Sequence, residues 1–484
     1  MAKFIGREEE LEILGSLLKK KSASLIVVKG RRRIGKSRLI EEFAKRHSFD
    51  AFYVFSGVPP TEKTTEQSQR DEFANQLNIQ TGLPEITADN WNKLFLLLFE
   101  KVKSGRIVLL LDEISWMGSK DPDFLGKLKN AWDLYFKKND QLIVVLCGSV
   151  SAWIEKNILS STGFVGRISL DLTVKELPLC DSNKFWGRQA TQVTAYEKLK
   201  VLGVTGGIPL YLEHVDKMVS AEENIKNLCF TPHGVLFDEF ERLFSDLFSQ
   251  RCEKYKKILL CLANKPASQE DICKHLGLKR SGDIGEYLDE LQKSGFISRD
   301  YTWNIKGGEV STLSQYRLCD NYARFYLRYI FPNRVGIEHG KFHGSSISNL
   351  PNWNTMMGLQ FENLVLNNRR LLWQFLGIKP EEIVCDNPYF QRKTGRYEGC
   401  QIDYLVQTKY NTLYVCEIKF SKNELKTDVI HEVEKKIANI AMPKRFSYRP
   451  VLIHVNGVKE EVEEGDFFSA VIAFGRFLED RSMG

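Results

Sequence analysis

Lys29-Gly30-Arg31-Arg32-Arg33-Ile34-Gly35-Lys36-Ser37-Arg38-Leu39 decides how the rest of this chain reads. Ahead of it, Leu25-Ile26-Val27-Val28 is a short apolar run of buried-strand type; behind it, Leu39, Ile40 and Phe43 stand at helical spacing. Between predicted strand and predicted helix lies Gly30-x-x-x-x-Gly35-Lys36-Ser37, the spacing of a phosphate-binding loop. Glycines let such a backbone fold into a nest of N–H donors, and the following helix N-terminus adds partial positive charge. The backbone of Gly30, Arg31, Arg32, Arg33, Ile34 and Gly35 is therefore expected to cradle nucleotide phosphates. Lys36 would reach the β- and γ-phosphates of ATP, and Ser37 would ligate Mg²⁺. A basic, glycine-rich turn can match the pattern by chance, but the flanks here are of the type and order the motif demands.

The chain has 484 residues, which predicts about three domains. Its 43% hydrophobic and 27% charged content is that of a globular protein with ample core. A net charge of +6 permits nucleic-acid binding without demanding it. The ten cysteines are scattered with no C-x-x-C pair, as expected of reduced thiols. The start, Met-Ala-Lys-Phe-Ile-Gly-Arg-Glu-Glu-Glu, lacks a signal-peptide apolar region, and no apolar run reaches membrane-spanning length. A cytoplasmic setting is expected.

Residues 1–235 are expected to form a nucleotide-hydrolysing core with a helical lid. Leu11, Leu14, Leu17 and Leu18 mark an amphipathic first helix. Arg106-Ile-Val-Leu-Leu-Leu-Asp112-Glu113 is an apolar strand of the parallel-sheet kind with two carboxylates at its end, where open α/β sheets bind ligands. Asp112 would hold the Mg²⁺ shell and Glu113 would polarise the attacking water. A third strand, Leu142–Gly148, ends at Ser149, which is either a γ-phosphate sensor or a helix-capping serine. Arg167 is a candidate for stabilising the transferring phosphoryl group, in cis or from a neighbouring subunit; a surface arginine is the plain alternative. Residues 171–229 read mainly helical, with a break at Gly206-Gly207-Ile208-Pro209.

Gly-Arg-Arg-Arg-Ile-Gly-Lys-Ser, the Leu-Leu-Leu-Asp-Glu strand and Gly-Gly-Ile-Pro-Leu-Tyr-Leu together resemble the archaeal-type ATPases of the STAND/AAA+ lineage of P-loop proteins. The resemblance covers roughly the first half of the chain. It implies that the first helix packs beside the adenine and that the helical stretch around the Gly-Gly break is the lid.

Residues 236–335 are expected to form a winged helix-turn-helix. Its helices would include Ser268–Leu276, capped by Ser268 with Asp271, and a third through Ile284, Tyr287, Leu288 and Leu291. Gly295–Ser298 and Ser314–Leu318 would frame the wing. Such modules follow many archaeal-type ATPase cores. The third helix would read DNA, with Lys279, Arg280 and Lys293 as modest support, or the module would serve only for packing. The aromatic segment Asp320–Tyr329 reads as core, and 336–350 as a linker.

Residues 351–484 carry a second chemistry. Glu362 lies on a predicted helix, Asp403 on a strand, and Glu417-x-Lys419 on the next strand after a turn at 408–411. Glu417 and Lys419, two apart, share a strand face that Asp403 can meet. This order resembles the PD-(D/E)XK nuclease core, although the proline before the first Asp is absent. In that reading Asp403 and Glu417 hold Mg²⁺, Lys419 positions water or stabilises developing charge, and Glu362 completes the shell. Lys435 and Lys436 would meet a phosphate backbone. A solvent-facing charged hairpin is the bland alternative.

The expected protein is thus a multi-domain α/β chain: a P-loop NTPase parallel sheet with lid, a winged helix-turn-helix and a restriction-endonuclease-like tail. Its nucleotide state would control binding or Mg²⁺-dependent cleavage of nucleic acid, DNA favoured, with homo-oligomers possible and no membrane partner. A nucleotide-switched regulator or scaffold with a silent tail is the alternative.

Overall fold

The computed structural model describes residues 3–248, 251–278, 282–342, 344–395 and 397–479. They form two compact units, Met1–Glu176 and Leu177–Gly484.

In the first unit, β1 (Ser24–Lys29), β2 (Ala51–Ser56), β3 (Ile107–Asp112), β4 (Leu142–Gly148) and β5 (Ile168–Thr173) make one parallel sheet, in the order β2-β3-β4-β1-β5. Every residue of β1 and of β4 is buried, which is why these strands are continuous apolar runs rather than alternating ones. Helices Lys36–Arg46, Glu66–Thr81, Trp91–Val102 and Phe124–Leu134 supply the cover. Phe73, Trp91, Phe95 and Phe124 interlock over one face in largely edge-on contacts. Because all five strands run the same way, the chain leaves β1, β3 and β4 from one edge of the sheet. That common edge is what brings the phosphate loop, Asp112 and Ser149 together. Residues 171–173, expected in a helical stretch, instead complete β5. This edge strand is only partly buried and so lacks a continuous apolar signal.

In the second unit, helices Ala195–Thr205, Pro209–Glu213 and Ala221–Cys229 come first. Gly206, at φ 58, and Pro209, at the first helical position, make the break between the first two. Helices Cys252–Leu262, Gln269–Leu276 and Gly282–Lys293 follow, the second closed by a capping box between Ser268 and Asp271. Then comes the antiparallel hairpin of β6 (Ile297–Trp303) and β7 (Val310–Leu318). Tyr322, Phe325, Tyr326 and Tyr329 after it are buried in the core. Helix Trp353–Asn367 precedes a second five-stranded sheet in the order β12-β11-β10-β9-β8. It consists of β8 (Ile383–Gln391), β9 (Cys400–Thr408), β10 (Thr412–Lys419), β11 (Ser447–His454) and β12 (Ala470–Ala473). β8, β9 and β10 pair antiparallel, whereas β10, β11 and β12 are parallel, with the helix Asp428–Asn439 between β10 and β11. Asn411, at φ 56, turns the β9–β10 hairpin.

Three expectations change here. A division at 235 falls inside a compact unit, because the helices after Leu177 are bonded to the tail. Gln360 Nε2 donates to the Gly203 carbonyl at 2.7 Å, and a methyl on Gly203 would lie 2.7 Å from Met357 Cε. Residues 336–350 are not a free linker: Ile337 and Ile347 are buried, and Phe342 packs 5.0 Å from Phe230. The β6–β7 hairpin is occupied as well. Trp303 Nε1 donates to Gln407 Oε1 at 2.6 Å, Gln407 Nε2 donates to the Ile305 carbonyl at 2.9 Å, and Trp303 and Ile305 join the apolar core of the tail sheet.

Candidate nucleotide site and carboxylate cluster

The loop between β1 and helix Lys36–Arg46 is shaped by three positive-φ residues. Gly30 has φ 146, Arg33 φ 70 and Gly35 φ 88. At Gly30 a Cβ would stand 2.3 Å from the Val174 carbonyl oxygen, so only glycine fits. Lys36 is 6% exposed and donates to the carbonyls of Gly30 and Arg31, each at 3.1 Å. Arg31 is buried with Glu176 at 3.9 Å, while Arg32 lies 5.0 Å over the Trp116 ring. Arg7 braces the loop by donating to the Ile34 carbonyl at 3.0 Å, a contact no sequence motif announces.

Beside the loop, the Ser37 hydroxyl donates to Asp112 Oδ2 at 2.5 Å. Two hard oxygens so placed have the chemistry of a Mg²⁺ shell. Glu113, in left-handed conformation at φ 48, accepts from Ser149 Oγ at 2.8 and 2.9 Å. Ser149 therefore orients Glu113, and the short helix after it, Ser151–Ile154, has no side-chain cap. Arg167 is elsewhere. It precedes β5, whose first residue pairs with Leu25 at the start of β1, so it stands at the sheet edge opposite the loop. There it clasps Asp133 in a two-pronged pair at 3.0 and 2.9 Å, which removes the role in cis. The Asp133 carboxyl is held well below its usual range, chiefly by that arginine.

In the second unit, Glu362, Asp403, Glu417 and Lys419 converge from a helix and two strands. Asp403 Oδ2 accepts from the Ile418 amide at 2.9 Å, fixing it across the hairpin from Glu417. Lys419 Nζ lies 3.0 Å from Glu417 Oε1 and 2.6 Å from Glu432. Lys436 is turned inward rather than toward a backbone partner, 2.5 Å from Glu417 Oε2 and 3.5 Å from Asp403 Oδ1. It thus fills the space between the two carboxylates. Among the described residues, no group of three or more acidic, histidine or cysteine side chains could hold a metal ion. Behind Glu362 is a buried network that no motif marks. Arg317 donates to Asp300 at 2.8 Å and to Asn363, and Arg324 donates to Gln360 at 3.3 Å and to the Leu318 carbonyl.

Burial, then the Asp403 charge, pushes the Glu362 carboxyl up to about 8 against the pull of Arg324 and Arg317. Burial, then Glu417, raises Asp403 to about 6. Folded protein therefore holds protons that the unfolded chain releases. This stabilisation is full below the ordinary carboxylate range and is lost as pH rises toward about 8. Thermal unfolding between pH 5 and 8 should show a falling Tm, and Glu362→Gln should flatten that fall. A Glu362→Gln variant whose profile is as steep as that of wild type would contradict it.

The exposed positions of helix Gly282–Lys293 include Asp283 and Asp289, and Lys293 is tied to Asp289 at 2.7 Å. Lys279 and Arg280 lie outside the described residues. A cleft of about 390 Å³ is lined by Ser268, Gln315 and Gln401 among others, the last on the strand that carries Asp403. All ten cysteines are free thiols, and no helix among the described residues is long and apolar enough to cross a membrane.

A parallel sheet in this order, with a phosphate loop after β1 and paired carboxylates at the end of β3, is the fold of a P-loop ATPase domain. Residues 4–215 match the family described as an ATPase domain predominantly from Archaea, so the chain carries an archaeal-type ATPase domain. An uncharacterized protein of Methanocaldococcus jannaschii is 26% identical over 371 residues, 75% of this chain and 76% of that one. An uncharacterized ATP-binding protein of the same organism is 38% identical over 52 residues, 11% of this chain and 88% of its own. The Walker-type ATPase of Pyrococcus abyssi superposes with a TM-score of 0.50 at 19% identity, covering 67% of this chain and 96% of its own; it is similar in fold.

Proposed function

We propose that the first unit binds and hydrolyses ATP and that its nucleotide state governs a nuclease-like tail acting on nucleic acid. The observation that carries the ATPase part is the Ser37–Asp112 contact of 2.5 Å beside the buried Lys36. In this reading the loop amides and Lys36 bind the β- and γ-phosphates, and Ser37 and Asp112 hold Mg²⁺. Bound there, Mg²⁺ would neutralise phosphate charge. Glu113, oriented by Ser149, takes the proton of the attacking water. Arg167 serves only if a second copy presents it.

In the tail, Asp403 and Glu417 supply hard oxygens and Lys419 a cation. A divalent ion would sit between the carboxylates only by displacing Lys436, so the cluster as it stands does not fit one. That same ammonium favours a second reading, in which the tail binds nucleic acid or protein without cutting and ATP governs assembly. One assay separates the two: single- and double-stranded DNA and RNA incubated with full-length protein and Mg²⁺ or Mn²⁺. Cleavage that Asp403→Ala and Lys419→Ala reduce by about 100-fold or more, with ATP hydrolysis intact, supports the nuclease. No cleavage by wild type leaves the regulator.

A further inference from the structure

We propose that Gln69 is a positioning residue for ATP hydrolysis, holding the backbone at Val58 so that Gly57 seats the turn that carries Asp112 and Glu113. The proposal rests on the ATPase reading above, lies wholly within the first unit, and adds to that site a residue acting only through the protein backbone.

Helix Glu66–Thr81, opened by a capping box between Thr65 and Ser68, lies along β2 at the edge of the sheet. Its glutamines at positions 69, 76 and 80 each grip both backbone groups of one residue there. Gln80 Oε1 accepts from Val54 N at 2.8 Å, and its Nε2 donates to the Val54 carbonyl at 2.6 Å. Gln76 does the same at Ser56, at 2.8 and 3.0 Å. A primary amide offers the donor and acceptor of a peptide unit, so these two rungs stand in for a neighbouring strand. Gln69 differs from them. It is 2% exposed and grips Val58, two residues past the end of β2, at 3.1 and 2.8 Å.

The residue before Val58 touches the site. Gly57 N donates to the Asp112 carbonyl at 3.0 Å, and a Cβ on Gly57 would stand 2.8 Å from the Glu113 carbonyl oxygen and 2.7 Å from Met117 N. Gly57 is therefore pressed against the backbone of the turn between Asp112 and the short helix Ile114–Met117. Glu113 is the strained member of that turn, because φ 48 in a residue with a side chain persists only where the surroundings over-determine it. Ser149 fixes its carboxylate, and Gly57, held through Val58 by Gln69, fixes its backbone. Arg70, the next residue of the helix and 8% exposed, reaches Asp121 at 3.8 Å, so the same helical turn meets the chain again just beyond Met117. A rung that served only to cover the sheet edge would sit within β2, as Gln76 and Gln80 do.

Steady-state ATP hydrolysis by the full chain with Mg²⁺ tests this, with Gln80→Met as the matched control because it removes the same kind of rung away from the site. Gln69→Met is expected to lower kcat about tenfold or more through misplacement of Glu113, with KM for ATP within about twofold of wild type. Gln80→Met should keep kcat within about twofold of wild type. The proposal is overturned if folded Gln69→Met keeps the wild-type kcat, if its loss falls on KM alone, or if Gln80→Met loses kcat as far. Should Gln69→Met not fold, Gln69→Asn, too short to reach both backbone groups of Val58, decides the matter by the same criteria. A wild type that hydrolyses no ATP would sink the ATPase reading itself, and this role with it.

Discussion

Lys36→Ala is expected to lower ATP hydrolysis by at least about 100-fold, the scale of losing one charge-stabilising donor in a water-poor site. The ammonium is buried within the loop and held by the Gly30 and Arg31 carbonyls, which it can exchange for phosphate oxygens. Alanine fills none of that role. The fold should survive, since the two carbonyls freed lie in a loop built to meet a polar ligand. Lys36→Arg should not rescue, because a planar guanidinium does not fit a slot shaped for a point charge. Steady-state phosphate release by the two variants and wild type measures this. An unchanged rate in Lys36→Ala would remove the assignment of this loop as the hydrolytic site.

The largest stability effect is expected at Arg317→Met, at about 3–5 kcal/mol, because the substitution strands a buried carboxylate. Asp300 and Arg317 are 5% and 4% exposed, joined by bonds of 2.8 and 3.4 Å, and Ser298 Oγ donates to Asp300 at 3.0 Å. Removing the arginine also frees Asn363, whose helix carries Glu362. The paired change Asp300→Leu with Arg317→Met removes both charges and should recover most of the loss. Urea unfolding of the full chain, read through exchange of β6 and β7 amides, reports on it. A single variant within about 0.5 kcal/mol of wild type would show that this pair is not a structural keystone.

Legibility differs between the two units for a physical reason. Gly30–Ser37, Leu109–Glu113 and Leu142–Ser149 are local patterns: apolar runs buried on both sheet faces, each ending where a parallel strand meets solvent. Their meeting follows from chain direction alone. β2 and β5 escape such a reading because edge strands bury only part of their surface and leave a diluted pattern. In the tail, Asp403, Glu417 and Lys419 are readable because strand periodicity puts alternate residues on one face. Lys436 is legible as a lysine but not in its direction, which depends on how its helix lies over β9 and β10.

The Gly30–Ser37 spacing, the Asp112–Glu113 pair and the charged hairpin are legible in the sequence because each is set by spacing within one or two adjacent elements. The tertiary structure pairs Arg167 with Asp133 at the far end of the sheet. It also assigned the helices after Leu177 to the second unit and seated Lys436 between Asp403 and Glu417. Those outcomes depend on contacts between residues tens to hundreds of positions apart, where packing and charge pairing choose among partners that no local pattern ranks.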